Sequence, residues 1–417
     1  MAAYFTVRWR VYLGDWQRDN PSLWVPQAEA QRRAYRHLLQ KFLATLHVDH
    51  VHGADPLQNG AKNVWQKRAA AQQNMDQITL DVQRMQLGTD MQEALTRILF
   101  VWSCMHKDLG YKQGMHEIAE WLWRLRARES IMDNTAHGVQ DKGTSAEACE
   151  SAASLSAAQF ATLLSQDAVE DDTYFLVSSV LERLLPQFNA ERAGSPALLK
   201  ALLHRVDPLL AKHLAEIHVD WQPVLLRWHR LLYLNTFPAD EILMLWDALF
   251  AIDPALQLMQ YVSAAMIVRQ RDQLLVDGPT DAMHHLLHYG DQEPRPSAAL
   301  LVEQALKLQL HPSLDTVEEI VRENKAMVGA QHAHNAPPPE CAEPHAPLRL
   351  AELTKIKAQQ FATDIMRRAP FFRPTLGTEP AWGPLAEDRL HTEPCNIDTQ
   401  RRQAMLSFDD VKHSYMQ

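Results

Sequence analysis

The chain has 417 residues, 46% hydrophobic and 22% charged, the balance of an ordinary soluble protein with length enough for one large domain or two smaller ones. Only 14 glycines argue against a turn-rich all-β architecture. A formal net charge of −10 excludes a polyanion-binding surface spread over the whole molecule, so no nucleic-acid partner is expected.

Helical periodicity runs along most of the chain. The opening MAAYFTVRWRVYLG carries no basic stretch followed by an apolar one, as a secretory leader would. Tyr35, Leu38, Leu39, Phe42, Leu43 and Leu46 then fall on one face of a 3.6-residue repeat. Leu95, Ile98, Leu99, Trp102 and Met105 make a second stripe, and Met115, Ile118, Ala119, Leu122 and Leu125 a third. Later stripes run through Leu203, Val206, Leu210, Leu214 and Ile217, and through Val224, Trp228, Leu231 and Leu232. FPADEILMLWDALFAIDP, starting at Phe237, has a proline at entry, acids in the first turn and a proline past the exit; it is nearly apolar all round and predicts a buried helix. Strand alternation is not seen, and no window approaches the roughly 18 uninterrupted apolar residues of a membrane span. The fold class expected is all-α.

Two regions break the pattern. Residues 127–168, including GTSAEACESAASLSAAQ, mix small and polar residues without a sustained stripe and predict a surface insertion. Residues 328–417 are proline-rich and predict a mostly disordered tail around one short helix near Leu350 to Arg368. The period of a helical solenoid is not visible.

Chemistry candidates are few. Cys104, Cys149, Cys341 and Cys395 form no C-x-x-C pair, which argues against a disulfide framework or zinc knuckle and for a reducing, intracellular compartment. His284 and His288 stand at i and i+4 but have no third ligand at suitable spacing; the same discount applies to His47, His50 and His52. HEIAE, from His116, ends in Glu120 and so is not the zincin H-E-x-x-H. Neither a nucleophile elbow nor a phosphate-binding P-loop occurs, so any chemistry is done by supplying parts to another protein's site.

Two short segments stand out. In ITLDVQRMQLG, Asp81 and Arg84 are three apart and read as an ordinary helical ion pair. In LGYKQGMHEIAEWLW, Gly110 reads as the left-handed cap of one helix, Gly114 as a close approach opening the next, and Gln113 as an exposed corner residue. Taken together and in order, they resemble the I-x-x-D-x-x-R and Y-x-Q-G motifs of the TBC domain of Rab GTPase-activating proteins, here Ile78, Asp81 and Arg84, then Tyr111, Gln113 and Gly114. RWRVYLG at Arg8, VLLRWHRLLYLNTFP at Val224, ILMLWDALF at Ile242 and AALLVEQALKLQ at Ala298 extend the resemblance over residues 5–310. YKQGMHEI and WDALF look closest to the late-endosomal branch. Met85 and His116 stand where the family commonly has threonine and asparagine, and Phe5 where it has an arginine.

The resemblance implies a multi-helix TBC domain that docks on a Rab-family GTPase in its GTP form, with GTP and Mg²⁺ carried by that partner and no cofactor of its own. Arg84 would be an arginine finger and Gln113 would orient the attacking water, while Asp81, Tyr111, Gly114 and Ile78 support them. A cytoplasmic protein recruited to endosomal membranes is implied, with the tail meeting a trafficking coat or adaptor. The alternative is a TBC-like scaffold that binds a GTPase or coat component without catalysis.

Overall fold

The computed structural model describes residues 4–46, 64–136, 155–188, 196–291 and 297–335, all within one compact unit, Met1–Arg368. Sixteen α-helices are assigned among them, and no strand. In order they are α1 (Phe5–Tyr12), α2 (Trp24–Leu46), α3 (Val64–Arg84), α4 (Thr89–Met105), α5 (Met115–Ala136), α6 (Ala157–Leu163), α7 (Val169–Phe188), α8 (Ala197–Val206), α9 (Pro208–Glu216) and α10 (Trp221–Leu225). A π-helical stretch, Leu226–Arg230, continues α10. Then follow α11 (Ala239–Ile252), α12 (Met259–Arg269), α13 (Arg271–Leu274), α14 (Pro279–Leu287), α15 (Ala298–Leu310) and α16 (Leu314–Asn335). None of the described helices is long and apolar enough to cross a membrane.

The stripes at Leu95 to Trp102 and Met115 to Leu125 are core faces of α4 and α5, although Met105, at the end of the first, is exposed. α11 forms where its proline and acids place it and buries Ile242, Leu245, Trp246, Leu249 and Phe250, but Met244 faces solvent. The stripe from Leu203 to Ile217 is two helices, α8 and α9. Asp207 and Pro208 break it: the Asp207 side chain accepts from Leu210 N–H at 3.0 Å as the N-cap of α9, and proline suits the first helical position.

At the centre lies α7, packed on α2, α4 and α5. It is buried on nearly every side, so its sequence shows no stripe. Its first turn carries Asp172, which accepts from Arg32 Nε at 2.9 Å and Nη2 at 2.8 Å and from Arg126 Nη2 at 2.9 Å. The same two guanidiniums donate to the carbonyls of Thr162, Leu163, Leu164 and Ser165, and so cap the C-terminal end of α6.

That arrangement narrows the expected insertion at 127–168, whose two flanks belong to the helical body. Residues 127–136 continue α5, and α6 is built into the fold, opened by a Ser156–Gln159 capping box and burying Leu163 and Leu164 against Trp16 and Trp24. Residues 137–154 lie outside the described residues. The helical body also runs past 310: α16 packs on α12, α15 and α8, burying Val317, Ile320 and Asn324, and its backbone continues beyond 328, where the tail was expected to begin. The helix expected near Leu350 to Arg368, with all of 336–417, lies outside the described residues.

Glu129 on α5 is buried, 4% exposed, and accepts from the backbone N–H of Thr6 at 3.3 Å and from its hydroxyl. Burial pushes its carboxyl up to about 7, opposed by those Thr6 donors and by Arg126. A carboxyl raised in the folded state binds its proton more tightly there than in the unfolded chain. Its contribution therefore weakens as pH rises from the unfolded value through about 7. Glu129→Gln should thus look better relative to wild type at pH 8 than at pH 5, by roughly 1–3 kcal/mol in urea denaturation; a pH-independent difference would show that Glu129 is not charged against its burial. Asp172→Ala, which leaves two buried guanidiniums without their carboxylate, should cost roughly 3–5 kcal/mol in the same assay.

Candidate functional site

Arg84 is the last residue of α3, and the chain turns at once toward α4. The turn is made by Gln86 in a left-handed conformation, φ +53°, while Gly88 is extended at φ −63° and caps α4. The helix is seated by Ile78 and Val82, which are fully buried, so Ile78 supports the site from the core and does not line it. Arg84 itself is 71% exposed, and its Nη1 donates to Asp81 Oδ1 at 2.8 Å. A cation in the last turn also meets the negative end of the helix dipole.

The second corner lies between α4 and α5. Gly110, at φ +63°, follows the α4 cap with its N–H on His106 O at 2.8 Å. Gly114, at φ +100°, precedes α5; a Cβ there would stand 3.1 Å from Leu231 Cδ2. Between them Gln113 is exposed and Tyr111 is buried. The Tyr111 hydroxyl donates to Asp81 Oδ2 at 3.0 Å and meets His116 Nδ1 at 2.7 Å. One carboxylate thus holds the arginine with one oxygen and the neighbouring corner with the other. Burial, then the Asp81 charge, pushes the Tyr111 hydroxyl far above its ordinary value, so it stays a protonated donor.

Asp81, Arg84 and Gln113 line one open groove of about 470 Å³ with Met85, Leu87, His116, Glu117, Glu120, Trp121, Arg124, Leu234 and Asn235. Arg84 and Gln113, 29 positions apart, are therefore brought to the same cleft, neither buried in the core. Asn235 Nδ2 donates to Glu117 Oε2 at 2.6 Å across the wall, and Arg124 pairs with Glu120. Trp121 joins the floor to the core by stacking on Trp9 and tilting against Trp246.

In the sequence, His116 is marked only by its difference from the family's asparagine. It, Glu117, Glu120, Trp121 and Arg124 follow Gln113 at intervals of three, four, seven, eight and eleven, a helical face that projection from Gln113 finds. Leu234 and Asn235 had no local signal. They are delivered by the π-helical stretch and by Leu232 and Tyr233, two consecutive left-handed residues at φ +47° and +64°. Such conformations cost roughly 1–3 kcal/mol each. They are held by Trp246 Nε1 donating to Leu232 O at 2.8 Å and Tyr233 N–H donating to Trp228 O at 2.7 Å.

The histidines singled out earlier sit elsewhere. His284 and His288 stack with ring centroids 4.5 Å apart, and no group of three or more potential metal ligands occurs among the described residues. His47, His50 and His52 lie outside the described residues, as do Cys149, Cys341 and Cys395; Cys104 is a half-buried free thiol.

A model of the Rab-GTPase-TBC domain family matches residues 33–275, which include Asp81, Arg84, Tyr111 and Gln113. TBC1 domain family member 5 of Mus musculus is 26% identical over 364 residues, spanning 74% of this chain and 42% of the mouse protein. TBC1 domain family member 22A of Macaca fascicularis is 24% identical over 249 residues, spanning 56% of this chain and 46% of that protein. The chain therefore spans less than half the length of these relatives. Its fold is similar to the crystal structure of the Ypt/Rab-GAP domain of Gyp1p, with a TM-score of 0.54 at 19% identity, covering 74% of this chain and 88% of that one.

The two glycines separate conformation from space. Gly110→Ala meets open surroundings and should lose only the left-handed backbone term, about 1 kcal/mol. Gly114→Ala adds the close approach to Leu231 and should cost roughly 2–3 kcal/mol by urea denaturation. Equal costs would remove the contact with Leu231 as the reason for glycine at the second position.

Proposed function

The chain belongs to the Rab-GTPase-TBC domain family, and from that membership we propose that it accelerates GTP hydrolysis by a Rab-family small GTPase, with Arg84 and Gln113 reaching together into the partner's nucleotide site. One observation carries the reading: the two side chains, supplied by separate helical corners, are both exposed on the same groove, and the Asp81 carboxylate ties Arg84 to Tyr111 of the corner that bears Gln113. A guanidinium tethered through a single nitrogen keeps donors free for phosphate oxygens, and its planar charge spreads over the transition state in a way lysine does not reproduce. The carboxamide of Gln113 can donate to and accept from a water at once, which suits it to orient the nucleophile. GTP and Mg²⁺ come with the partner.

The apolar residues Met85, Leu87, Trp121 and Leu234 at the groove give the partner a surface to bury beside the polar pair. On this reading the helical body is the GTPase-binding unit. Residues 336–417 are where a trafficking coat or adaptor is met, and the protein works in the cytoplasm on endosomal membranes, as YKQGMHEI and WDALF suggest.

Single-turnover hydrolysis over a panel of GTP-loaded Rabs tests the proposal. Arginine fingers supplied in trans contribute about 10³ to 10⁵ in rate, roughly 4–7 kcal/mol of barrier, so Arg84→Ala and Arg84→Lys should each lose most of the acceleration. Gln113→Ala should lose about 10² or more. Binding to the GTP-loaded partner and resistance to urea should change little, because Arg84 is 71% exposed and its ion pair contributes little to stability. Variants that accelerate hydrolysis as well as the parent would end the two-residue assignment.

A further inference from the structure

His116 lines the groove at 8% exposure, with Nδ1 turned inward to the Tyr111 hydroxyl at 2.7 Å. The same hydroxyl lies 3.0 Å from Asp81 Oδ2, and it has one hydrogen to give. Two arrangements are open. In the first, His116 carries its proton on Nδ1 and donates to Tyr111, whose own proton goes to Asp81. In the second, the proton is on Nε2, Tyr111 donates to Nδ1, and the tyrosine oxygen faces a carboxylate oxygen lone pair to lone pair.

The second arrangement strands Asp81 Oδ2 in a place where Asp81 is 7% and Tyr111 5% exposed. An unsatisfied buried acceptor costs about 1–3 kcal/mol, and more when charged. The return is one long contact, Gly114 N–H to Nδ1 at 3.4 Å, which the first arrangement gives up; a neutral N–H losing a long contact costs less than a carboxylate oxygen losing its donor. The first arrangement therefore wins. Burial holds the imidazole below its ordinary value, helped by Arg84 and opposed by Glu117 and Asp81, so it is neutral near pH 7 and has a single N–H to place.

We propose that His116 is a positioning residue for Arg84: as the Nδ1–H tautomer it donates to Tyr111, directs the tyrosine proton onto Asp81, and so fixes the carboxylate that steadies the guanidinium. This rests on the reading of Arg84 given above. The chain of donors is His116 to Tyr111 to Asp81 Oδ2, with Arg84 closing on Oδ1 at 2.8 Å. Nε2 is left without a proton at the groove.

Asparagine and aspartate separate polarity from shape, since the amide nitrogen of Asn offers a donor near the place of Nδ1 and Asp offers only acceptors. His116→Asn should keep the maximal single-turnover rate within about threefold, whereas His116→Asp should lose roughly ten- to hundredfold with half-saturating concentration little changed. Two measurements need no GTPase. Imidazole ¹⁵N spectra of the wild-type chain should place the His116 proton on Nδ1, and ¹⁵N relaxation at Arg84 Nε should show a looser guanidinium in His116→Asp and not in His116→Asn. A proton on Nε2, or equal Arg84 mobility in the two variants, overturns the proposal even if hydrolysis is accelerated. A wild-type chain that accelerates no Rab while Arg84 responds as expected overturns only the function from which the role was drawn.

Discussion

A single buried carboxylate decides the geometry of the groove. Asp81 reaches one oxygen to the end of its own helix and the other to the next helical corner, so the placement of Arg84 and the placement of the Gln113 corner are coupled. Either contact alone would be weak. The Asp81–Arg84 pair is the kind of i,i+3 contact worth a few tenths of a kcal/mol on a helix surface. Sharing the acceptor with a buried tyrosine turns that contact into a positioning device, because Asp81 cannot swing toward solvent without breaking its bond to Tyr111. The guanidinium is left exposed on the groove and yet tied to the buried frame through one nitrogen.

Behind the groove the scaffold uses charge differently. Asp172 lies between two guanidiniums that also cap α6, so a helix far along the chain is locked to α2 and α5 by buried ions. Such clusters add little net stability over an apolar core, yet removing one partner is costly because it leaves an uncompensated buried charge. The opposite wall rests on backbone strain: Leu232 and Tyr233 in left-handed conformation lift Leu234 and Asn235 into place, with buried Trp246 and Trp228 supplying the compensating hydrogen bonds.

The half-buried helices were legible because burying one face writes a 3.6-residue period into the sequence, as in α4 and α5. α7 was not, since a helix buried all round has no contrast between faces. Around the small residues of 127–168, Arg126 and Glu129 gave no signal because their partners are distant in sequence, and the local capping box of α6 was hidden in a stretch with no stripe. In the site, local reasoning read Arg84 as an ion pair and Gln113 as an exposed corner residue. Both descriptions hold; what sequence physics could not supply was that Tyr111 reaches across 30 positions to the same carboxylate. The joint motif brought the two corners together where local pattern could not. Asn235 lies within VLLRWHRLLYLNTFP, but nothing in that stretch marks it as groove-lining.

The pairing of α1 with α11 bears on how the chain is made. Trp9 donates to Asp247 across 238 positions and packs against Trp246 and Phe250, so the part of the first helix's apolar face that α5 leaves open has no permanent cover until the eleventh exists. At roughly 5–20 residues per second, translation leaves that face waiting for about ten seconds to a minute. Codons that slow elongation between the two helices lengthen that exposure, and those that speed it shorten it.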